Sequence, residues 1–462
     1  MRLGIDVGRS YTDAVLTSEN GRIFARTKST RGEDSVENTR LALSTIFGQI
    51  KGNEASIKGI FVCSSHIEQA LNEVERLAKT YLVRISPMPS ILQPAVDWPE
   101  DLQDHIVGTT HFSSTEDDQE WEELVVKIKE SDAQSIAVVG VNSPMDAESE
   151  RRLGAKITVK LPDLAVSLSH QFGSIGFIER ENTTLLNAML RPATVLSKNL
   201  LHEILSDYGV QAPVWIAKHD GTLMTESEAL GSPIKTIASN RAMAFQGAGE
   251  LARLTDYVVV NVGENEAGVA VVKNGKVDES SLAMRIDGIR TTISLPSYEH
   301  VEAIPERLKE YERLDIERQK IQHPNYIDDF QLFCSNVRSV IERVQPRYDE
   351  LPIVLVGSRS ETLFPHLESR YETWLLPDAS NYSCAYGLCF AMVGSESDGI
   401  YHLKDSSKQE VIEREMRKAE ICLNEKARFL IRDQEVEEYP FCYLDGEISR
   451  IRVRIKGSLQ LN

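Results

Sequence analysis

One pattern occurs twice in this chain. A short apolar strand runs into a polar glycine turn and comes back as a second strand, first over Leu3–Leu16 and again over Tyr257–Lys273. The first copy reads Leu3-Gly4-Ile5-Asp6-Val7-Gly8-Arg9-Ser10-Tyr11-Thr12-Asp13-Ala14. The second has Tyr257–Val262, the turn Gly263-Glu264-Asn265-Glu266-Ala267, and Gly268–Lys273. Such an internal echo predicts two similar half-domains facing a cleft. A tight turn aims backbone N–H groups at an anion, and glycine lets the backbone approach it. The hydroxyls of Ser10 and Thr12 can donate to phosphate, and Asp6 can hold a magnesium ion or its waters. An ordinary hairpin with a polar turn is the competing account of the first copy taken alone.

Between and after the two copies, strands and helices alternate. Gly59–Cys63, Tyr81–Ile85, Ser135–Val141, Val214–Ala217 and Ile353–Val356 read as strands. Val36–Ile50, Ile67–Lys79, Ala147–Ile157, Glu181–Tyr208 and Ala242–Ala252 have the apolar spacing of helices. This alternation predicts an α/β protein. The Pro-rich, acidic stretch 86–120 reads as a long excursion, with Glu116-Asp117-Asp118 as a solvated face and His111 as a chance feature. Ile304–Ile321 and Asp329–Val344 read as charged helices, Ser383–Val393 as a small-residue helix and Lys408–Leu430 as an amphipathic one. Val436–Leu461 alternates apolar and polar residues and predicts two strands.

Charge narrows the partners. The formal net charge is −19, from 70 acids against 51 bases, which argues against a general nucleic-acid or anionic-membrane binder. Asp6 interrupts any apolar core of a leader peptide, and no run reaches membrane-spanning length. Cys63, Cys334, Cys384, Cys389, Cys422 and Cys442 are scattered without a C-x-x-C pair. They read as reduced thiols of a cytoplasmic protein, with no zinc site or disulfide framework.

Five segments, in order, resemble the hydantoinase A / oxoprolinase family in its shorter form, within the actin / sugar kinase / Hsp70 ATPase superfamily. Gly4–Leu16 resembles the family's opening G-I-D-V-G-G-T-x-T-D-A-V-L, and Val138–Pro144 its V-S-G-V-F-S-P. Glu179–Asn182 with Leu186–Ala188 resembles E-R-E-N…L-N-A. His219–Met224 resembles N-D-G-T-L-M, and Tyr439–Lys456 the closing P-x-x-Y-L-x-G…R-I-R-V-K. The resemblance implies two actin-like ATPase (ribonuclease H-like) half-domains around a cleft and a small C-terminal α+β extension. The expected boundaries are 1–180, 181–380 and 381–462. It also implies ATP and Mg2+ as cofactors. The expected chemistry is opening of a cyclic amide of the hydantoin or 5-oxoproline type. A hydantoinase B-like second subunit or a homo-oligomer is the expected assembly.

Carried over residue by residue, the resemblance implies Asp6, Asp13 and His66 as catalytic, with Asp6 and Asp13 also linked to the metal. Gly8, Arg9, Ser10, Thr12, Asn261, Gly263, Glu264, Gly357 and Ser358 are the expected nucleotide-binding residues. His219 and Asp220 are the expected substrate-side residues.

The departures from the family pattern cluster at this site. Arg9 stands at the second glycine of the first turn, and Glu264 and Glu266 stand in a second turn that reads D-x-G-G-T-T-T-D in the family. The family's S-G-P-x is Ser239-Asn240-Arg241-Ala242, and its G-T-T-H is Cys63-Ser64-Ser65-His66. Carboxylates aimed at phosphate repel it, and lost threonines remove donors. This predicts weak or absent ATP hydrolysis, with Arg9 pairing Glu264 or Glu266 and closing the site. Arg9 as a phosphate clamp is the opposite expectation. Two functions therefore stay open: an ATP-dependent hydrolase or its subunit, and a binding or scaffold subunit with an eroded ATPase site.

Overall fold

The computed structural model describes residues 1–461 except 31, 33, 89–91, 97, 114–117, 174, 264–265, 280–284, 287, 302–323, 347–349, 368–372, 405, 425–427 and 443–446. Glu264, Glu116, Asp117 and the helix expected over Ile304–Ile321 lie outside the described residues.

Both echoed hairpins form, and each sits in the same local topology. Arg2–Val7 pairs antiparallel with Thr12–Thr17 and parallel with Gly59–Ser64. Tyr257–Val262 pairs antiparallel with Ala267–Lys273 and parallel with Ile353–Val356. Each half thus places a glycine turn at the carboxyl end of a central strand, where open α/β sheets bind ligands.

Among the described residues the first sheet has nine strands. Ile23–Ser29 is one edge, followed by Thr12–Thr17, Arg2–Val7, Gly59–Ser64, Val214–Ala217 and Leu223–Thr225. Val393–His402, Ile448–Leu459 and the far edge Phe429–Pro440 complete it. This sheet draws strands from both sides of residue 180. Helix Ser35–Gln49 covers one face; Asp34 caps it by accepting from the Glu37 N–H, and Leu43, Ile46 and Phe47 pack on Leu3, Ile5 and Leu16. The second sheet is filled by Val258, Val260 and Leu355 against Val337 and Ile341 of helix Pro324–Val344.

A four-stranded parallel sheet is inserted into the first half in the order Ile106–Phe112, Thr80–Ile85, Ser135–Gly140, Ala165–Leu168. The excursion expected over 86–120 therefore contains a strand, Ile106–Phe112, which carries His111 and pairs parallel with Thr80–Ile85. Helix Phe177–Asp207 runs beneath this sheet. Arg84 and Glu181 meet there in a buried two-point pair, at 2.5 and 2.7 Å.

Three boundaries differ from expectation. The helix expected over Ile67–Lys79 is His66–Asn72, followed by a short 3-10 turn at Val74–Arg76. The helix expected over Ser383–Val393 ends at Leu388, and Val393 opens a strand to His402. The helix expected over Lys408–Leu430 ends at Asn424, and the first tail strand begins at Phe429. In the tail, pairing outweighs local propensity: Val393–His402 carries Gly394, Asp398 and Gly399 but zips onto the alternating strand Ile448–Leu459 along its whole length.

Two helices join the halves. Ser239–Ala252 crosses Ser383–Leu388 so closely that a Cβ on Gly247 would lie 1.9 Å from the Ser383 carbonyl oxygen. Only glycine allows that approach. No helix among the described residues is long and apolar enough to cross a membrane.

Candidate functional site: a cleft between two glycine turns

The two echoed turns line one cavity of about 480 Å³. Asp6, Gly8, Arg9, Ser10 and Asp13 come from the first copy, and Asn261, Gly263 and Glu266 from the second. Gly357 and Ser358 close it from the turn after strand Ile353–Val356. Gly357 has φ +102°, and a Cβ there would lie 2.3 Å from the Val262 carbonyl oxygen. The late turn can therefore abut the second hairpin only as glycine. Asn240 and Arg241, in the first turn of helix Ser239–Ala252, also face the cleft. The positive end of that helix dipole favours an anion there.

The first turn is held by the Gly8 N–H donating to the Tyr11 carbonyl at 2.9 Å. The Tyr11 ring folds over Gly8, and its hydroxyl points at Asp6 Oδ2, 3.4 Å away. Asp6 is buried, and burial pushes its carboxyl up from the ordinary value. The neighbouring Asp6 charge and burial push the Tyr11 phenol well up. Asp13 receives Lys28 Nζ at 2.7 Å. Thr12 is fully buried with its hydroxyl 3.1 Å from that of Thr39, so it is turned into the fold and does not line the cleft.

Arg9 is exposed and forms no ion pair among the described residues. The pairing expected with Glu266 is made by another cation: Arg241 Nη2 lies 2.9 Å from Glu266 Oε1, and His300 Nδ1 lies 3.5 Å from Oε2. Arg241 also stacks over Tyr298, its guanidinium carbon 4.2 Å from the ring centre, and donates to the Tyr298 hydroxyl. Arg241 rises from the first turn of helix Ser239–Ala252, which faces the same cavity as Glu266.

His66 opens its helix, with both ring nitrogens buried and without a hydrogen-bond partner among the described residues. Burial lowers its imidazole to about 4, so it is neutral at physiological pH. His66 itself does not line the cleft, though its neighbour Ser65 does. His219 and Asp220 stand apart. His219 Nδ1 lies 2.8 Å from the Ser294 carbonyl, and burial lowers its imidazole to about 4. Asp220 accepts from the Thr222 N–H and hydroxyl at 2.9 and 2.7 Å. Burial alone would raise the Asp220 carboxyl, but Lys218, His219 and Lys456 outweigh it and hold it far below the usual range. Asp220 lines a second cavity of about 860 Å³, together with Lys276, Glu279, Arg454 and Lys456.

Sequence reasoning gave no role at the site to several cleft residues, among them Tyr11, Lys28, Arg241 and Cys384. It read Cys63 and Cys384 as scattered reduced thiols. The structure puts Cys63 Sγ 3.3 Å from Cys384 Sγ and 3.1 Å from Asp6 Oδ1. One signal for Cys63 lay in the register: Asp6 and Cys63 are neighbours at the carboxyl ends of adjacent parallel strands.

The arrangement suits an anionic ligand. Two glycine turns, a helix N-terminus and Arg9, which forms no ion pair among the described residues, converge on one cavity. These residues fit a nucleotide phosphate. For magnesium, Asp6 at the floor is the carboxylate left, since Asp13 is engaged by Lys28.

Comparison with known proteins agrees with this geometry. The model of the hydantoinase/oxoprolinase N-terminal region matches residues 2–160, and the hydantoinase/oxoprolinase model matches residues 180–302. Among solved structures, the ATP-dependent caprolactamase from Pseudomonas jessenii superposes with a TM-score of 0.75 at 15% identity, covering 100% of this chain and 88% of that one. A nucleotide-free acetone carboxylase superposes with a TM-score of 0.71 at 11% identity, with the same coverages of 100% and 88%. At these identities the likeness speaks to the fold, an actin-like ATPase plan. No curated protein sequence matches. With both family models accounting for most of the chain and the hairpins, cleft and late turn in the places that plan requires, the chain belongs to the hydantoinase/oxoprolinase family.

Proposed function

We propose that the cleft binds ATP with magnesium and couples it to the opening of a cyclic amide of the hydantoin, 5-oxoproline or lactam type. The observation that carries this reading is the convergence of both echoed turns and the Gly357-Ser358 turn on one cavity. Membership of the family and the fold shared with an ATP-dependent caprolactamase support it. When bound, the nucleotide supplies a phosphoryl group that turns the amide oxygen into a leaving group.

The chain's own residues have distinct tasks. Arg9, Arg241 and the N-terminus of helix Ser239–Ala252 hold phosphate charge. The turn backbones at Gly8, Gly263 and Gly357 let the phosphates approach. Asp6 would hold the magnesium ion. His66 is buried and off the cleft, so in this reading it takes a proton from an attacking water only once the cleft opens to it. A hydantoinase B-like subunit or a second copy completes the assembly in this reading, and mass photometry of the chain with and without a co-expressed partner reads it.

One observation favours a second reading, a nucleotide-binding scaffold without turnover. Tyr11 folds onto Asp6, and Arg241 is tied to Glu266. Both would have to release before phosphates and magnesium take their places.

Titration calorimetry with ATP–Mg2+ is the first test, followed by phosphate release with cyclic-amide substrates. Binding with substrate-dependent release supports the enzyme. Binding without release supports the scaffold. No heat at millimolar nucleotide sinks both.

A further inference from the structure

Three ligating atoms meet at the floor of the cleft. Cys63 Sγ lies 3.1 Å from Asp6 Oδ1 and 3.3 Å from Cys384 Sγ, and the ligand atoms of the three residues all lie within 4.8 Å of one another. They arrive from strand Gly59–Ser64, strand Arg2–Val7 and the start of helix Ser383–Leu388. All three are buried, with Asp6 3%, Cys63 1% and Cys384 8% exposed. Among the described residues this is the only group of three such side chains that converges in this way.

The hydrogen bonding around Asp6 is incomplete. A thiol is a weak donor. The Tyr11 hydroxyl at 3.4 Å lies beyond the usual O–H···O range. Among the described residues, a carboxylate that is almost wholly buried is thus left with weak donors, which is costly unless something stronger occupies its face.

We propose that Asp6, Cys63 and Cys384 form a site for one thiophilic divalent cation of the zinc type, with its fourth position open to the cleft. Two sulfurs and one oxygen are a soft set, which selects zinc over magnesium. Tetrahedral zinc with bonds of about 2.3 Å to sulfur sets the two sulfurs about 3.7 Å apart. The thiols therefore need to part by only a few tenths of an ångström. Binding breaks two S–H bonds and forms two metal–sulfur bonds; both protons leave to solvent and no electron moves. Three protein ligands with an open position is the pattern of a catalytic zinc rather than a structural one. The cleft reaches Asp6 and Cys384 directly, which supplies an entry path. Cys63 stands at the glycine of the family's G-T-T-H turn, so the site is a property of this chain and not of the family pattern.

The inference shares Asp6 with the nucleotide reading, which gives that carboxylate to magnesium, and the two are told apart because metal binding is measured with no nucleotide present. The exposed Cys422 and Cys442 are first replaced by serine to remove surface thiols. The reduced full chain is stripped with chelator and titrated with cobalt, then zinc. Expected is one cobalt per chain with intense thiolate-to-cobalt charge-transfer bands, displaced by zinc. X-ray absorption of the zinc-loaded chain should count two sulfur neighbours at about 2.3 Å plus oxygen. Cys63→Ser and Cys384→Ser should each weaken binding at least roughly tenfold, and Asp6→Asn should weaken it while keeping the charge-transfer bands. Three results overturn the proposal: no charge-transfer band in the parent, a zinc shell without two sulfurs, or serine variants that bind as the parent does. The absorption count needs no substitution at the site, so a serine variant that fails to fold leaves the test intact.

Discussion

Asp6 and Asp13 face each other directly across the first hairpin, and among the described residues only Asp13 has a cation, Lys28 Nζ at 2.7 Å. Two carboxylates placed opposite each other repel. Lys28, itself opposite Asp13 on the next strand, pairs with Asp13. Asp6 is left buried, with its carboxyl raised by that burial.

The first prediction follows from that raised carboxyl. A folded state that holds a proton more tightly than the unfolded one loses stability as pH rises from the unfolded carboxylate value toward the folded one, and stays at the lower level above it. Asp6→Asn resembles the protonated acid at every pH. The variant should be more stable than the parent at neutral pH by about 1 kcal/mol, with the gap closing below the ordinary carboxylate range. It should also lose any ATP turnover. Urea unfolding across pH reads the stability. A variant less stable than the parent at neutral pH refutes the account.

In the proposed nucleotide site, Glu266 would compete with phosphate for Arg241. Both side chains are partly open to solvent, so the pair contributes no more than about 1 kcal/mol to folding. Glu266→Gln should leave the thermal midpoint nearly unchanged. It should tighten ATP binding by roughly fivefold at low salt, with the gain shrinking as salt rises. Calorimetry at two ionic strengths checks it; unchanged or weaker binding argues that Arg241 is not a phosphate ligand.

The parts of this fold that were legible are those with a local signature. The hairpins announce themselves through short apolar runs and glycine turns, and their parallel partners through buried strands that end in turns. Strand Ile106–Phe112 was hidden because its apolar alternation is broken by Gly108, Thr109 and Thr110 within a Pro-rich stretch. Strand Val393–His402 was hidden because Gly394, Asp398 and Gly399 argue against it locally, and only the pairing with Ile448–Leu459 overrides them. The contact of Cys63 with Cys384 spans 321 positions, and no period or spacing reports a meeting at that distance. Glu266 was visible as an intruder in the second turn, but its partner was not, since Arg241 arrives from a helix whose direction only the tertiary structure sets.

The crossing at Gly247 makes the joint between the halves sensitive to one methyl group. A Cβ there would meet the Ser383 carbonyl oxygen at 1.9 Å and the Gly387 nitrogen at 3.1 Å, and both are backbone. Gly247→Ala should therefore destabilise the chain by about 2 kcal/mol or more. Gly231→Ala, with open space around it, serves as the control. Equal thermal midpoints for the two variants would contradict the packing described.

Arg84 and Glu181 anchor the inserted sheet to the long helix, and their side chains are 7% and 3% exposed. Removing one partner strands a buried charge. Glu181→Ala should lower the unfolding free energy by about 3–5 kcal/mol, whereas Arg84→Met with Glu181→Leu should recover most of that loss. Denaturant melts of the three variants decide it, and a double variant no better than the single one would show that the pair holds the helix by geometry and not by charge balance.

Glu150 contributes to the acid sensitivity of the same region. It is fully buried and accepts from the Gly140 N–H at 2.6 Å, the His170 N–H at 2.8 Å and the Ser169 hydroxyl, with His170 Nδ1 at 2.7 Å. Burial alone would raise its carboxyl, but these donors outweigh it and hold the group below the ordinary value of 4.5. An acid whose folded value is depressed stabilises the fold above the unfolded value, and that contribution drains away as pH falls through the folded one. Glu150→Gln removes the anion these donors were built around and should destabilise the chain at neutral pH by about 2 kcal/mol. It should also flatten the loss of stability below pH 4.5, because a glutamine has no proton to gain. Unfolding midpoints measured from neutral to acid pH test both parts. A variant that keeps the parent's acid slope would move the titrating group elsewhere in the fold.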